Sequence, residues 1–163
     1  MGLRDDKELL DAASRMERRL RQQHVVLDGF LVQEFVEGGK EVILGMTRDR
    51  VYGPLLLFGL GGIYVEYLKD VSFGLPPLTD RDAMRMIESI RTYPLLRGVR
   101  GEPARDVPAL QEAILRLAAL VSDHDSIQEM DLNPVIALEH GRGYRVVDAR
   151  IVLTPASPGT GAE

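Results

Sequence analysis

The sequence predicts an α+β domain in which three helices pack on a mostly antiparallel sheet. Three patterns support this: amphipathic stretches at helical spacing, short β-rich runs separated by Gly or Pro turns, and a hairpin pattern near the C-terminal end. Runs of strands broken by a few helices are typical of α+β proteins. A chain of 163 residues is expected to form one domain with a buried core.

Composition excludes several functional classes. The net charge of −5 argues against a nucleic-acid binder that works by neutralising phosphates. The chain contains no cysteine, which excludes disulfides, thiolate metal sites and a cysteine nucleophile. No apolar run is long enough to span a membrane, and the N-terminal residues lack the apolar core of a signal peptide. We therefore expect a cytoplasmic protein that binds neither membranes nor nucleic acids.

Each predicted helix carries its apolar residues on one face. The first covers residues 5–23, where Asp5 and Glu8 resemble a capping box. The second covers residues 79–92 and begins at a threonine, a residue type that caps helices well. The third covers residues 106–122 and has a regular apolar stripe.

The predicted strands lie mainly between the first two helices. Strand propensity and turn residues place them at residues 25–26, 29–36, 41–47, 54–60, 63–67 and 71–75. The last strands form a hairpin. In it an apolar run at 135–138, a Gly-containing turn at 139–143 and a second β-rich run at 144–153 follow one another. The tail, residues 154–163, is rich in Pro and Gly and is expected to be disordered.

Oxygen-bearing side chains gather around this hairpin. Glu129, Asp131 and Asn133 alternate along the chain, so in an extended segment they leave the same face. Asp148 lies about as far past the turn as Asn133 lies before it, so folding places these two residues opposite or diagonal to each other. Carboxylate and amide oxygens suit Mg²⁺, which leaves its other positions to water and phosphate. The alternative is an acidic surface loop closed by Asn-Pro, and spacing alone does not decide between them.

Two further places could carry chemistry. Residues 32–41 combine a strand end, a Gly-Gly turn and the carboxylates of Glu34, Glu37 and Glu41, an arrangement that could hold a purine and a ribose. A charged surface turn explains the same residues, and on their own it is the better explanation. Residues 58–62 form a Gly-rich bend that is neither a Walker A loop nor a Rossmann fingerprint, because neither Lys-Ser/Thr nor a helix follows. On its own terms this bend is a glycine-kinked strand.

Together these segments resemble a known family. LVQEFVEGGKEVILG and the residues after it, at 31–79, are followed by YPLLRGVRGEPARD at 93–106. EMDLNPV at 129–135 and VVDARIVL at 146–153 come next. This order is similar to that of the ATP-grasp domain of nucleoside-diphosphate-forming acyl-CoA synthetases, such as ADP-forming acetate–CoA ligase and relatives of the succinyl-CoA synthetase β-subunit. The resemblance covers residues 1–153 and implies an ATP-grasp fold that uses Mg²⁺ and ATP or ADP.

The resemblance also implies roles for two groups of residues. The nucleotide-binding group would be Gln33, Glu34, Phe35, Val36, Glu41, Gly61 and Gly62. The metal-binding group would be Asn133, Asp148 and Asp131, the last in the acidic position of the family's acid-x-Asn motif. Within the first group, residues 33–36 would form the hinge that holds adenine, and Glu41 would lie over the ribose and phosphate.

The sequence departs from the family at one important point. A complete domain of this kind has a preceding subdomain with a phosphate-binding lysine, a glycine-rich lid and a histidine-containing segment linked to phosphoryl transfer. This chain is expected to begin after that subdomain, because none of its lysines occupies the expected place: Lys7, Lys40 and Lys69. The histidines all lie in polar segments and are expected at the surface: His24, His124 and His140. Since phosphoryl transfer depends on charge neutralisation, we predict weak nucleotide binding and little or no ligase activity for this chain alone.

Arginine is the remaining source of phosphate contacts. Arg97 and Arg100 flank a glycine between the second and third helices, and Arg suits phosphate because it can donate two parallel hydrogen bonds. An equally supported alternative is that they pair with Glu102 or Asp106.

The sequence thus predicts residues 1–153 to be part of an ATP-grasp domain, mainly its C-terminal part. It would serve an ADP-forming acyl-CoA synthetase, an acid–thiol ligase that works through an acyl-phosphate and a phosphohistidine. The expected partners are the CoA-binding and ligase domains or subunit, the missing ATP-grasp subdomain, or a second copy of the chain. The alternative is a non-catalytic regulatory or assembly module that docks to a synthetase or acetyltransferase.

Overall fold

A computed structural model of the protein describes residues 2–62 and 69–154. The chain divides into two compact units, residues 1–37 and residues 38–163. No helix in the described ranges is both long and apolar enough to cross a membrane.

The first unit is built around helix α1, Asp6–Gln22. Asp5 caps this helix, because its carboxylate accepts a hydrogen bond from the backbone N–H of Glu8 at 2.8 Å. The Glu8 carboxylate accepts from the backbone N–H of Arg4 at 2.9 Å, where a full capping box would have it accept from Asp5. The predicted helix is therefore confirmed, with half of its predicted capping box.

The stretch after α1 has no regular secondary structure. Residues 25–37 contain no strand, so the prediction of β-structure at 25–26 and 29–36 is wrong. Several of its apolar side chains are strongly exposed: Val26 at 86%, Leu31 at 84% and Val32 at 66%. High β-propensity reflects packing on a paired, half-buried surface. The described residues of this unit provide a helix but no neighbouring strand.

In the second unit, the described residues form a six-stranded sheet and two helices. In chain order its elements are β1 Lys40–Asp49, β2 Gly53–Leu60, β3 Val71–Gly74, α2 Asp80–Ser89, a 3₁₀ turn Tyr93–Leu95, α3 Val107–Asp123, β4 Ile127–Ala137, β5 Tyr144–Val146 and β6 Ala149–Leu153. The strand order is β3-β2-β1-β4-β5, and β6 also pairs with β4. Every pairing in the described sheet is antiparallel. The predicted fold class, α+β with a mostly antiparallel sheet and three helices, is confirmed.

The hydrophobic core of this unit lies between one face of the sheet and helices α2 and α3. On β1 the buried side chains Val42, Leu44 and Met46 alternate with residues of the other face. Leu110 and Ile114 of α3 are completely buried in the same cluster. The continuous apolar strand β2 adds Leu56, Phe58 and Leu60 to this core. The opposite face of the sheet is therefore left for other contacts.

Helix α2 ends earlier than its apolar pattern predicts, at Ser89 rather than at residue 92. The backbone N–H groups of Arg91 and Thr92 donate to the carboxylate of Asp70, each at 2.8 Å. Ile90 adopts an extended backbone at the helix end. A distant carboxylate thus takes the donors that would have continued the helix.

The second strand of the hairpin is also interrupted. Residues 144–153, predicted as one run, form β5 and β6 with a break at Val147 and Asp148. Pro134 lies opposite this break, preceded by a cis peptide bond, and its carbonyl oxygen accepts from Val147 N at 3.0 Å. Proline has no N–H to return, so the regular ladder cannot continue there. The predicted strand at 63–67 and the predicted disordered tail lie outside the described residues, except for Thr154.

Candidate functional site

The hairpin brings Asn133 and Asp148 together as predicted. The backbone N–H of Asn133 donates to the carbonyl oxygen of Asp148 at 3.2 Å. Both side chains are exposed. Their neighbouring backbones place a side-chain amide oxygen and a carboxylate at one point of the sheet, between the end of β5 and the start of β6.

The other oxygen-bearing side chains of β4 leave a single face of the strand. Glu129, Asp131 and Asn133 are exposed, whereas Met130 between them is buried in the core. This alternation follows from the two-residue repeat of an extended strand. The prediction that these three side chains share one face is confirmed, and that face is the one opposite α2 and α3.

A groove of about 420 Å³ runs along this open face. Its floor is apolar and includes Ile43 of β1 with Leu55 and Leu57 of β2. Its polar lining includes Thr47 of β1, Glu129, Asp131 and Asn133 of β4, and Arg150 of β6. The groove therefore combines an apolar surface with acidic groups and one guanidinium.

Arg150 was not among the predicted site residues, although a local signal for it exists. Arg150 is the register partner of Asp131 on the neighbouring strand. It lies two residues after Asp148, so the two-residue repeat of a strand would have placed it beside the predicted ligands. Arg150 therefore adds a positive charge to the lining of the groove, across the strand pair from Asp131.

The donor set fits a hard divalent cation that is shared with a phosphate ligand. Within residues 2–62 and 69–154, no group of three His, Cys, Asp or Glu side chains could hold a metal ion by itself. The candidate ligands offer one amide oxygen, from Asn133, and two carboxylates, from Asp131 and Asp148. One oxygen of the Asp148 carboxylate, Oδ1, accepts a hydrogen bond from Ala149 N at 2.8 Å. Mg²⁺ is often bound by one or two carboxylates together with water and substrate phosphates. The residues present would suit Mg²⁺ carried by a nucleotide.

The structure also brings Glu41 and the Gly-rich bend together. The backbone N–H of Gly61 donates to the carbonyl oxygen of Glu41 at 2.7 Å. A Cβ atom at position 61 would lie 2.9 Å from the Cβ of Glu41, closer than real Cβ atoms approach. Gly62 has a positive φ of 64°. Glycine is thus required at position 61 by close packing and favoured at position 62 by backbone conformation.

The predicted hinge residues Gln33, Glu34, Phe35 and Val36 belong to the first unit. The first three are exposed and Val36 is half-buried, in a stretch without a strand. Their predicted role in holding adenine stays a prediction.

Arg97 and Arg100 are exposed in the loop before α3. The carboxylate of Glu102 pairs instead with Lys40, at 2.8 Å, and with Arg105, at 3.2 Å. The hydrogen bond from Lys40 and its charge, followed by those of Arg105, hold the pKa of Glu102 below its ordinary value despite some desolvation. The alternative in which Arg97 or Arg100 pairs with Glu102 is therefore less favoured, because Lys40 and Arg105 already pair with that carboxylate.

The histidines His24, His124 and His140 are all exposed, as predicted. Two buried carboxylates, by contrast, had no signal in the sequence: Asp70, and Asp106 at the start of α3. Asp106 caps α3 locally, but each carboxylate also has a partner at least 21 residues away along the chain, Arg91 for Asp70 and Gly143 for Asp106. Local patterns carry no information on such pairs.

Comparison with known proteins identifies the family. A family model described as an ATP-grasp domain matches residues 1–153. The chain is 46% identical over 148 residues to ADP-forming acetate–CoA ligase I of Archaeoglobus fulgidus, covering 91% of this chain and 21% of that protein. It is 48% identical over 126 residues to the β-subunit of ADP-forming acetate–CoA ligase II of Pyrococcus furiosus, covering 77% of this chain and 53% of the subunit.

A solved structure agrees with these relatives. Acetyl-coenzyme A synthetase 1 of Ca. Korarchaeum cryptofilum, in complex with coenzyme A and Mg-AMPPCP, matches with a TM-score of 0.81 and 40% identity. The match covers 94% of this chain and 67% of that chain.

The chain spans only a part of its relatives. It covers 21% and 22% of two full-length ligases and 53% of the β-subunit named above. The family match, the identities and the common fold all concern one domain of those proteins. The chain belongs to the ATP-grasp family and corresponds to the ATP-grasp portion of ADP-forming acyl-CoA synthetases.

Proposed function

We propose that this chain binds ADP or ATP together with Mg²⁺ on the open face of its sheet. The observation that carries the proposal is the backbone pairing of Asn133 with Asp148. Asn133 lines the groove together with Asp131 and Arg150. In this role the Asn133 amide oxygen and the Asp148 carboxylate would hold the ion, with Asp131 near it. Bound Mg²⁺ would neutralise charge on the phosphates.

The other predicted residues take up the nucleotide itself. Residues 33–36 would hold the adenine, and Glu41 would lie on the ribose and phosphate side, next to the bend at Gly61 and Gly62. The close packing of this bend against Glu41, with the hydrogen bond from Gly61 N to Glu41 O, supports a common role. Arg97 and Arg100 are exposed and would be free to contact phosphate oxygens.

In the intact enzyme the domain would serve the reaction acyl-CoA + ADP + phosphate ⇌ carboxylate + CoA + ATP. The proposed route passes through an acyl-phosphate and a phosphohistidine, and other domains would supply the histidine and the CoA site. The Korarchaeum relative contains coenzyme A, Mg-AMPPCP and a phosphohistidine segment that points towards its nucleotide-binding site. The proposed setting is cytoplasmic, and the chain alone is expected to have little or no ligase activity.

Calorimetric titration of the purified chain with ADP tests the proposal. We expect saturable binding in Mg²⁺ that weakens in EDTA, and the same weakening in Asp148→Ala without EDTA. Asp123→Ala is the control, because it removes an exposed carboxylate at the end of α3, away from the groove. An Asp148→Ala variant that binds ADP as tightly as the unchanged chain in Mg²⁺ would contradict the assignment of the metal ligands.

A second candidate function is docking to a partner protein. It is favoured by the exposed apolar side chains of Val26, Leu31 and Val32, because large apolar surface marks interaction sites. The partner proposed is the lysine-bearing ATP-grasp subdomain or a CoA-binding subunit, in keeping with the β-subunits among the relatives. Absence of heat up to millimolar ADP, with a stable complex between this chain and such a subunit in sedimentation velocity, would favour docking over nucleotide binding.

A further inference from the structure

Asp106 joins helix α3 to the hairpin that carries the proposed metal ligands. Its side chain is buried, and the residue is 6% exposed. Oδ1 accepts a hydrogen bond from the backbone N–H of Ala109 at 3.3 Å and so caps α3. Oδ2 accepts from the backbone N–H of Gly143, in the hairpin turn, at 2.7 Å. The backbone of Asp106 adds a third bond, from its N–H to the carbonyl oxygen of Leu138 at 2.9 Å.

From this anchor, the β4–β5 pairing and, beyond its interruption at Pro134, two further backbone hydrogen bonds lead to the Asn133–Asp148 pair. Leu138 N donates to Gly143 O at 3.0 Å and closes the turn. The three register pairs of β4 and β5 follow: Ala137 with Tyr144, Ile136 with Arg145 and Val135 with Val146. The two further bonds run from Val147 N to Pro134 O and from Asn133 N to Asp148 O. The anchor and the ligand pair thus lie at opposite ends of one short ribbon.

At the turn end of the ribbon, strand β5 has few contacts that fix its register. Strand β5 is three residues long and is the last strand on its side of the sheet. The turn contains Gly141 and Gly143 in the positive-φ region, which leaves its backbone adaptable. A slip by one residue would turn every side chain of the returning strand to the other face. A buried carboxylate that binds the turn from a helix would oppose such a slip at the turn end, while the pairing of β6 with β4 holds the other end.

We propose that Asp106 is a positioning residue for the metal site: it fixes the register of the hairpin and thereby the separation of the Asn133 and Asp148 side-chain oxygens. The inference rests on the proposed Mg²⁺–nucleotide function. Asp106 itself contacts neither ion nor nucleotide in this scheme.

Replacement by serine separates the two bonds of the Asp106 side chain. Serine is as good a helix cap as aspartate, so Asp106→Ser keeps the cap of α3. Its side chain is one atom shorter and lacks the second oxygen that binds Gly143. The matched control is Thr79→Ala, which removes the cap of α2 and leaves the hairpin untouched. Should the serine variant fold poorly, Asp106→Asn retains the volume and one acceptor oxygen, and a smaller change in the same direction is expected.

Hydrogen exchange of the ligand-free chain tests the anchor without metal. In Asp106→Ser we expect the amides of Leu138, Val147 and Asn133 to exchange about tenfold faster, the loss that corresponds to one strong hydrogen bond. In Thr79→Ala they should keep their rates relative to the amides of the core strands. Unchanged exchange of the Val147 and Asn133 amides in Asp106→Ser would overturn the inference.

Calorimetry with ADP then tests the consequence for the site. In Mg²⁺, the affinity of Asp106→Ser for ADP should be lower than that of the unchanged chain by about fivefold or more, as expected for the loss of one charged hydrogen bond. In EDTA, the two chains should bind ADP with equal affinity. Thr79→Ala should bind ADP normally in both conditions. Equal affinity of Asp106→Ser and the unchanged chain in Mg²⁺ would overturn the positioning role. If the unchanged chain shows no Mg²⁺-dependent binding, the proposed function fails, and the exchange rates alone decide whether Asp106 anchors the hairpin.

Discussion

The guanidinium of Arg48 on β1 donates a hydrogen bond to the carbonyl oxygen of Val121, near the end of α3, at 2.8 Å. The same side chain reaches His124 O at 3.2 Å and Ile127 O at 3.0 Å. One arginine therefore satisfies the carbonyl groups at the end of the helix and in the turn that leads to β4. It also forms an ion pair with Asp125 at 3.4 Å, although that carboxylate is almost fully exposed.

Arg48→Met should destabilise the protein by about 2 kcal/mol, because carbonyl groups at the helix end would lose charged donors while the apolar stem is kept. Urea denaturation followed by circular dichroism measures the change. Arg50→Met is the control, since Arg50 is an exposed arginine in the turn directly after β1. Its loss should change stability by less than about 0.5 kcal/mol. Equal midpoints for the two variants would contradict the role of Arg48.

Asp70 should make stability depend on pH in the acid range. Burial opposes its ionisation most strongly, but the hydrogen bonds from Thr92 Oγ1 and from the N–H groups of Arg91 and Thr92, with the Arg91 charge, together outweigh burial and lower its pKa. A carboxyl whose pKa is lower in the folded state stabilises the protein above its unfolded pKa, near 3.8, and this stabilisation disappears as the pH falls through the folded pKa.

Asp70→Asn should therefore lower stability by about 2 kcal/mol at neutral pH and flatten the loss of stability below pH 4. Urea midpoints at pH 7 and through the acid range provide the test. The difference between the variant and the unchanged chain should shrink as the pH falls. A difference that stays constant down to the acid limit of folding would assign the effect to shape rather than to charge.

Gly61→Ala should disturb the junction with Glu41, because the new methyl group would meet Glu41 Cβ at 2.9 Å and the Glu41 carbonyl carbon at 3.1 Å. We expect a loss of about 1–3 kcal/mol in stability and weaker ADP binding. Gly29→Ala is the control, since a Cβ there meets nothing within 4 Å, and it should be neutral or slightly stabilising. A Gly61→Ala chain with unchanged stability and ADP affinity would show that the bend tolerates a side chain.

Arg150→Gln should weaken the binding of a ligand more, the more negative charge its phosphate groups carry. Arg150 lines the groove opposite Asp131, so its removal should cost a few-fold in ADP affinity at low salt, less for AMP, and little for adenosine. Arg145→Gln removes an exposed arginine of β5 outside the groove and should leave all three affinities unchanged. Equal losses for ADP and adenosine would mean that Arg150 supports the groove without contacting phosphate.

Much of the fold follows from local patterns. The apolar stripe of α3 and the alternation of Glu129, Asp131 and Asn133 are properties of single elements, and the structure confirms both. The approach of Asp148 to Asn133 needs only a hairpin with its turn in the middle, so it too was predictable.

What the sequence did not predict depends on long-range partners. Residues 25–36 have strand-forming side chains, but a strand also requires a neighbour, which no local pattern can provide. The early end of α2 and the anchoring of the hairpin each depend on a buried carboxylate, Asp70 and Asp106, whose partners lie far along the chain. A single sequence does not show which aspartates will be buried in the folded protein.

The two proposed metal ligands, Asn133 and Asp148, lie at positions of the sheet that differ in mobility. Asn133 lies on β4, which is hydrogen-bonded to β1 on one side and to β5 and β6 on the other. Asp148 lies in the gap between two short edge strands. Local opening is easiest at edges and hardest in central strands. Asn133 is therefore held more firmly than Asp148. An ion of slightly different radius would be accommodated by movement of Asp148 alone.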